Sequence, residues 1–181
     1  MKNVLITYKK RITLLLSILL VLNIITLRIF DTSLNNETCK NGIVSFELAK
    51  DLDKTVNILN SWNTNEKINV GLSLGFDFLF LFVYASLIAL LIFNINERLW
   101  KNKSFYQFGN LLIFLIFTAA FLDVVENVSL IKLLLGNLNQ NWSSIAYYAA
   151  IVKFSFVLIC ISYILINWII LLSKKTAHLD K

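Results

Sequence analysis

Hydrophobic positions fall into four long runs, at about residues 12–30, 70–94, 109–135 and 145–172, with polar stretches between them. A helix rising about 1.5 Å per residue needs roughly 20 apolar residues to cross about 30 Å of hydrocarbon. The runs reach that length, so the pattern predicts four transmembrane helices, the third and fourth long enough to tilt or project. Proline is absent and glycine occurs only five times, so nothing predicts kinked or broken spans. The fold expected is an all-α membrane protein. It is a single membrane domain over residues 1–181, an antiparallel four-helix transmembrane bundle with a short extracytoplasmic amphipathic helix.

The first run follows Lys9, Lys10 and Arg11, the charge pattern of a signal peptide. It ends in Leu27-Arg28-Ile29-Phe30-Asp31 with no Ala-x-Ala-like site, so a retained first span is expected. The polar segment 31–69 carries its own periodicity. From Ser45 to Trp62, Ala49, Leu52, Val56 and Leu59 share one helical face, with Phe46 and Trp62 near the ends. Glu47, Lys50, Asp51, Asp53, Lys54 and Asn57 take the other faces. One amphipathic helix is predicted there, capped by Ser45 and lying on the membrane surface or over the bundle end.

Basic residues orient the spans. Lys2, Lys9, Lys10 and Arg11 precede the first; Arg98, Lys101 and Lys103 lie between the second and third; Lys174, Lys175 and Lys181 follow the fourth. The 31–69 segment has four lysines against six acids, and residues 136–144 have no basic residue. The positive side is expected to be cytoplasmic, with both termini inside. The net charge of +6 is then a topology signal, and no nucleic-acid partner is expected. Membrane lipids are. The sole histidine, His178, and the separated Cys39 and Cys160 make no metal or disulfide pattern. No cofactor is expected.

Charge inside the spans needs a reason, because a central Asp, Lys or Arg costs roughly 2.5–3.5 kcal/mol on insertion scales. Counting residues from the outer ends puts Asp77 and Asp123 about 10 Å deep, Glu126 about 6 Å and Lys153 about 12 Å. Arg28 and Lys132 are shallow enough to snorkel. Asp123, Glu126 and Asn127 share a face by their i, i+3, i+4 spacing, and Tyr84 lies on the Asp77 face, one layer deeper. Asp77, Asp123, Glu126, Asn127, Lys153 and Tyr84 therefore form the candidate cluster.

The set Phe46-Glu-Leu-Ala49, Ile58-Leu-Asn-Ser-Trp62, Asp77-Phe-Leu-Phe80, Tyr84, Asp123-Val-Val-Glu126-Asn127 and Lys153-Phe154 resembles a group of small four-span bacterial inner-membrane proteins. The resemblance implies a bacterial inner (plasma) membrane location and the same charged set; it implies no activity. Three readings of the cluster stay open. It binds a lipid, small amphiphile or ion. It serves a membrane-embedded enzyme, with Asp123 or Glu126 as acid and base. Or it is the internal fastening of a structural or accessory subunit. No nucleophile–base pair, zinc spacing or phosphate-binding glycine loop points to a reaction.

Overall fold

The structure, a computed structural model, describes residues 2–176, with side chains from Tyr8 to Ser173. His178 and Lys181 lie outside the described residues, as do the side chains of Lys2, Lys174 and Lys175. Four long helices, α1 (Lys2–Thr32), α4 (Thr64–Leu99), α5 (Tyr106–Leu134) and α6 (Gln140–Thr176), form the bundle. Two short ones, α2 (Ile43–Glu47) and α3 (Leu52–Ser61), cap one end.

The four long helices each contain an 18-residue stretch with mean hydropathy between 2.2 and 2.5. Their outward faces are apolar as well: Phe82, Phe114, Phe121 and Leu158 are about two-thirds exposed. Water would not tolerate so continuous an apolar surface, whereas lipid is matched to it. The chain is a multi-pass membrane protein.

The bundle is lopsided. α5 packs along both α4 and α6, while α1 packs chiefly on α4, and only 6% of its most apolar stretch is buried. Inside α4–α6, Leu81, Ile92, Leu112, Ile116 and Ala119 close the core without polar atoms. A second core lies under the cap, where Leu34, Phe46, Trp62, Leu74, Leu130 and Leu133 meet. The helices also run past the predicted span limits. α4 begins at Thr64 because Asn63 and Glu66 make a reciprocal capping box, with bonds of 3.0 and 2.7 Å.

The cap corrects the sequence expectation of one helix from Ser45 to Trp62. The chain breaks between α2 and α3, where Lys50 takes a positive φ of 64°. Gln140, at the start of α6, clamps the break: its Oε1 accepts from Leu52 N at 2.8 Å and its Nε2 donates to Lys50 O at 3.0 Å. These bonds replace the helical ones that the break gives up. Asp51 then occupies the N-cap position of α3, and Ser45 only accepts from Asn41 N. The buried face shifts as well, to Thr55, Ile58 and Leu59, with Leu52 and Val56 half-buried. Thr55 and Ser143 hydroxyls bond at 3.0 Å, tying α3 to α6. Trp62 Nε1 donates to Leu34 O, and its ring meets Phe46 edge-on.

At the α1–α2 junction, Asp31 Oδ1 accepts from Ile43 N at 2.7 Å. Gly42 sits there with φ of 54°, and any Cβ would run into the Asp31 carboxylate; the junction requires glycine on both counts. Gly71 and Gly75, spaced like a helix-contact pair, make no close approach: a Cβ at Gly71 would meet only Leu134, at 3.8 Å, and one at Gly75 would meet nothing.

Candidate functional site

The charged residues of α4, α5 and α6 do converge, but into two unlike halves. The inner half is packed shut. Lys153 Nζ lies 2.6 Å from Asp123 Oδ1 and 2.8 Å from Glu126 Oε2. The Tyr84 hydroxyl donates to Asp123 Oδ2 at 3.0 Å. Asp123, Glu126, Lys153 and Tyr84 are all buried. The helical repeat makes this possible: Asp123 and Glu126, one turn apart on α5, both face α6 and clasp one ammonium. Glu126 is held by charge alone. Its ion pair is off the line of a hydrogen bond, and its Oε1 has no partner among the described residues. In a clasp of this kind attraction at close range offsets the cost of desolvation, and removing one member leaves a buried charge without its counterpart.

The outer half faces a cleft of about 540 Å³ bounded by α1, the 35–44 loop, α2, α4 and α5. Asp77 and Asn127 line it. Asn127 Nδ2 donates to Asp77 Oδ2 at 2.6 Å, the one hydrogen bond to that carboxylate among the described residues. The opposite wall is apolar, with Ile24 and Leu27 from α1, Ile43 and Val44 from the cap, and Leu74 from α4. All six residues read from sequence thus lie in one neighbourhood. Asn127, on the same turn as Glu126, links the halves.

Sequence reading missed Glu47. It was placed among the polar outer positions of a single cap helix; the break at Lys50 instead lets the last turn of α2 dip into the cleft. One oxygen, Oε2, is shielded and has no hydrogen-bond partner among the described residues. Loss of water pushes the Glu47 carboxyl above the ordinary carboxylate range, a rise reinforced by Asp123 and Asp31 and opposed by Lys153. The signal that could have exposed it is Asp51, a good N-cap inside the supposed helix, which marks a second start.

Three further charged groups line the cleft: Arg28, Asp31 and Lys40. Asp31 is engaged by Ile43 N. Arg28 and Lys40 are exposed, and the ion pairs among the described residues, those of Lys54, Lys101 and Lys153, do not include them. Lys132 is exposed too. No group of three His, Cys, Asp or Glu among the described residues could hold a metal ion.

At the other end of the bundle, polar contacts serve packing between helices. Tyr163 OH donates to Asn96 Oδ1 at 2.7 Å, Asn96 Nδ2 donates to Tyr106 O, and Trp100 Nε1 donates to Asn167 Oδ1. Asn167 bridges helices through that bond, whereas Asn23 bonds back to Leu19 O within α1. An apolar groove of about 560 Å³ beside these residues, lined by Phe105, Phe108, Leu158 and Ile166, offers few polar groups.

Compared with protein-family models, with curated proteins and with solved structures, the chain matches none.

Proposed function

We propose that this chain is a non-enzymatic membrane protein that binds an amphiphile in the cleft, with the polar head at Asp77 and Asn127 and the apolar part along Ile24, Leu27 and Leu74. The observation that carries this is a cleft of about 540 Å³ whose lining sets apolar Ile24, Leu27, Ile43, Val44 and Leu74 beside polar and charged groups that include Asp77 and Asn127. An amphiphile needs both surfaces, apolar wall for its tail and placed polar groups to fix its head. Asp123, Glu126 and Lys153 pair with one another and act as the frame behind the site. Ile43, Val44 and Glu47 of α2 roof it.

The test is retention of lipid. The protein is purified in mild detergent and washed, and bound lipid is measured by native mass spectrometry. Leu27→Trp fills the cleft from its apolar wall without altering any charged group. Retained lipid is expected to fall roughly tenfold, the effect of about 1.4 kcal/mol, with the melting temperature unchanged. Equal retention by Leu27→Trp and the parent would sink the binding reading.

The same proposal includes the setting, a bacterial inner membrane with both termini cytoplasmic. It rests on the lysine and arginine asymmetry and on the sequence resemblance. In intact cells, an impermeant thiol reagent is expected to label Thr38→Cys and leave Asn102→Cys unlabelled until the membrane is opened. The reverse pattern would invert the topology.

A further inference from the structure

The walls of the cleft carry charge of both signs; Asp31 is engaged by Ile43 N, and the remaining charges are sorted by position. Arg28 and Lys40 are on its exposed rim, on α1 and the 35–44 loop. Asp77 and Glu47 are further in, half-buried, one on α4 and one on the last residue of α2. Neither rim base has an ion-pair partner among the described residues. On the inner side, among the described residues Asp77 is hydrogen-bonded by Asn127 alone, and Glu47 Oε2 is shielded from solvent with no donor. Lys153, the one buried cation nearby, is committed to Asp123 and Glu126.

Such a wall is matched by neither a purely anionic head nor a purely cationic one. An anion at the rim leaves the inner acids facing it; a lone cation at the acids leaves Arg28 and Lys40 unanswered. A single head with an anionic group and an ammonium a few bonds apart answers both. From this geometry we infer that the ligand head is a zwitterion carrying a phosphate and a primary amine. Arg28 and Lys40 take the phosphate, and Asp77 and Glu47 take the ammonium. The inference rests on the amphiphile reading above and narrows it to one head chemistry.

A primary ammonium has three N–H donors, enough for both inner carboxylates, including the oxygen of Glu47 that now lacks a donor. A quaternary amine has none, and a glycerol group carries no positive charge to offer the acids. Charge-assisted bonds in a site partly screened from water are strong enough to separate these heads.

The test measures binding of short-chain phosphatidylethanolamine, phosphatidylcholine and phosphatidylglycerol to the full chain in detergent, with soluble phosphoethanolamine as a fourth probe. The ethanolamine lipid is expected to bind about tenfold more tightly than the glycerol lipid. Asp77→Asn combined with Glu47→Gln should abolish that preference, bringing the affinity for the ethanolamine lipid to that for the glycerol lipid. Arg28→Gln combined with Lys40→Gln should weaken both lipids alike. Asp77→Asn keeps the shape of the side chain and an oxygen for Asn127; circular dichroism and melting temperature check that both double variants fold. Equal binding of ethanolamine and glycerol lipids overturns the zwitterion while leaving the amphiphile reading standing. A preference that survives Asp77→Asn/Glu47→Gln also overturns it. Binding of no lipid at all removes both readings. Soluble phosphoethanolamine binding as tightly as the lipid keeps the head chemistry and removes the amphiphile.

Discussion

Lys153→Met is expected to cost about 3–5 kcal/mol, the loss seen when one partner of a buried ion pair is removed. In this chain that is enough to prevent recovery of folded protein. The substitution keeps the volume of the side chain but leaves Asp123 and Glu126 facing each other with no cation, in a region where, among the described residues, Asp123 retains only Tyr84 and Glu126 retains no hydrogen-bond partner. Yield and monodispersity after detergent extraction, with a melting curve where protein is obtained, are the measurements. Combining Lys153→Met with Asp123→Asn and Glu126→Gln should restore most of the loss, because neutral, hydrogen-bonding side chains need no countercharge. A Lys153→Met protein that melts like the parent would show that the clasp contributes little to holding α5 against α6.

The second large effect lies at the opposite end of the bundle. Gly109→Ala should destabilise by about 2–4 kcal/mol, although alanine is the better helix former, because overpacking and lost buried hydrogen bonds add. A Cβ at Gly109 would overlap the side-chain amide of Asn96. Asn96 is fully buried and joins Tyr163 of α6 to the first turn of α5 through Tyr106 O, so displacing it cuts both bonds. Gly75→Ala is the matched control: a Cβ there meets nothing within 4 Å, and the helix should gain up to about 1 kcal/mol. The two melting temperatures should therefore move in opposite directions. A parallel shift would show that Asn96 relaxes without cost.

The spans were legible because period and length alone decide them: runs that are apolar on every face have no other stable home. Depth was legible too. Counting along α4, α5 and α6 brought Asp77, Asp123 and Lys153 to one level, and the Lys153 ion pairs and the Asp77–Asn127 bond join them there. What sequence could not supply was which charges are mutually satisfied and which face space. That division depends on helix rotation, and a one-residue turn about an axis is invisible in an all-apolar run. Glu47 was misplaced for a different reason. Its position follows from Gln140, 93 residues away, clamping the break at Lys50 and Leu52, and local periodicity carries no record of a long-range clamp. Asn96 escaped notice because it sits just past the predicted end of the second span, where a polar residue draws no suspicion.

α1 touches the rest of the protein along little more than one flank of α4, yet it supplies an entire wall of the cleft. Tilting it exchanges one set of acyl-chain contacts for another and breaks few bonds within the chain. On the amphiphile reading, the aperture would be a mechanical variable shared with the surrounding bilayer. Lateral pressure and thickness would set how far that wall leans, and occupancy of the cleft would respond to the physical state of the lipid as well as to its chemistry.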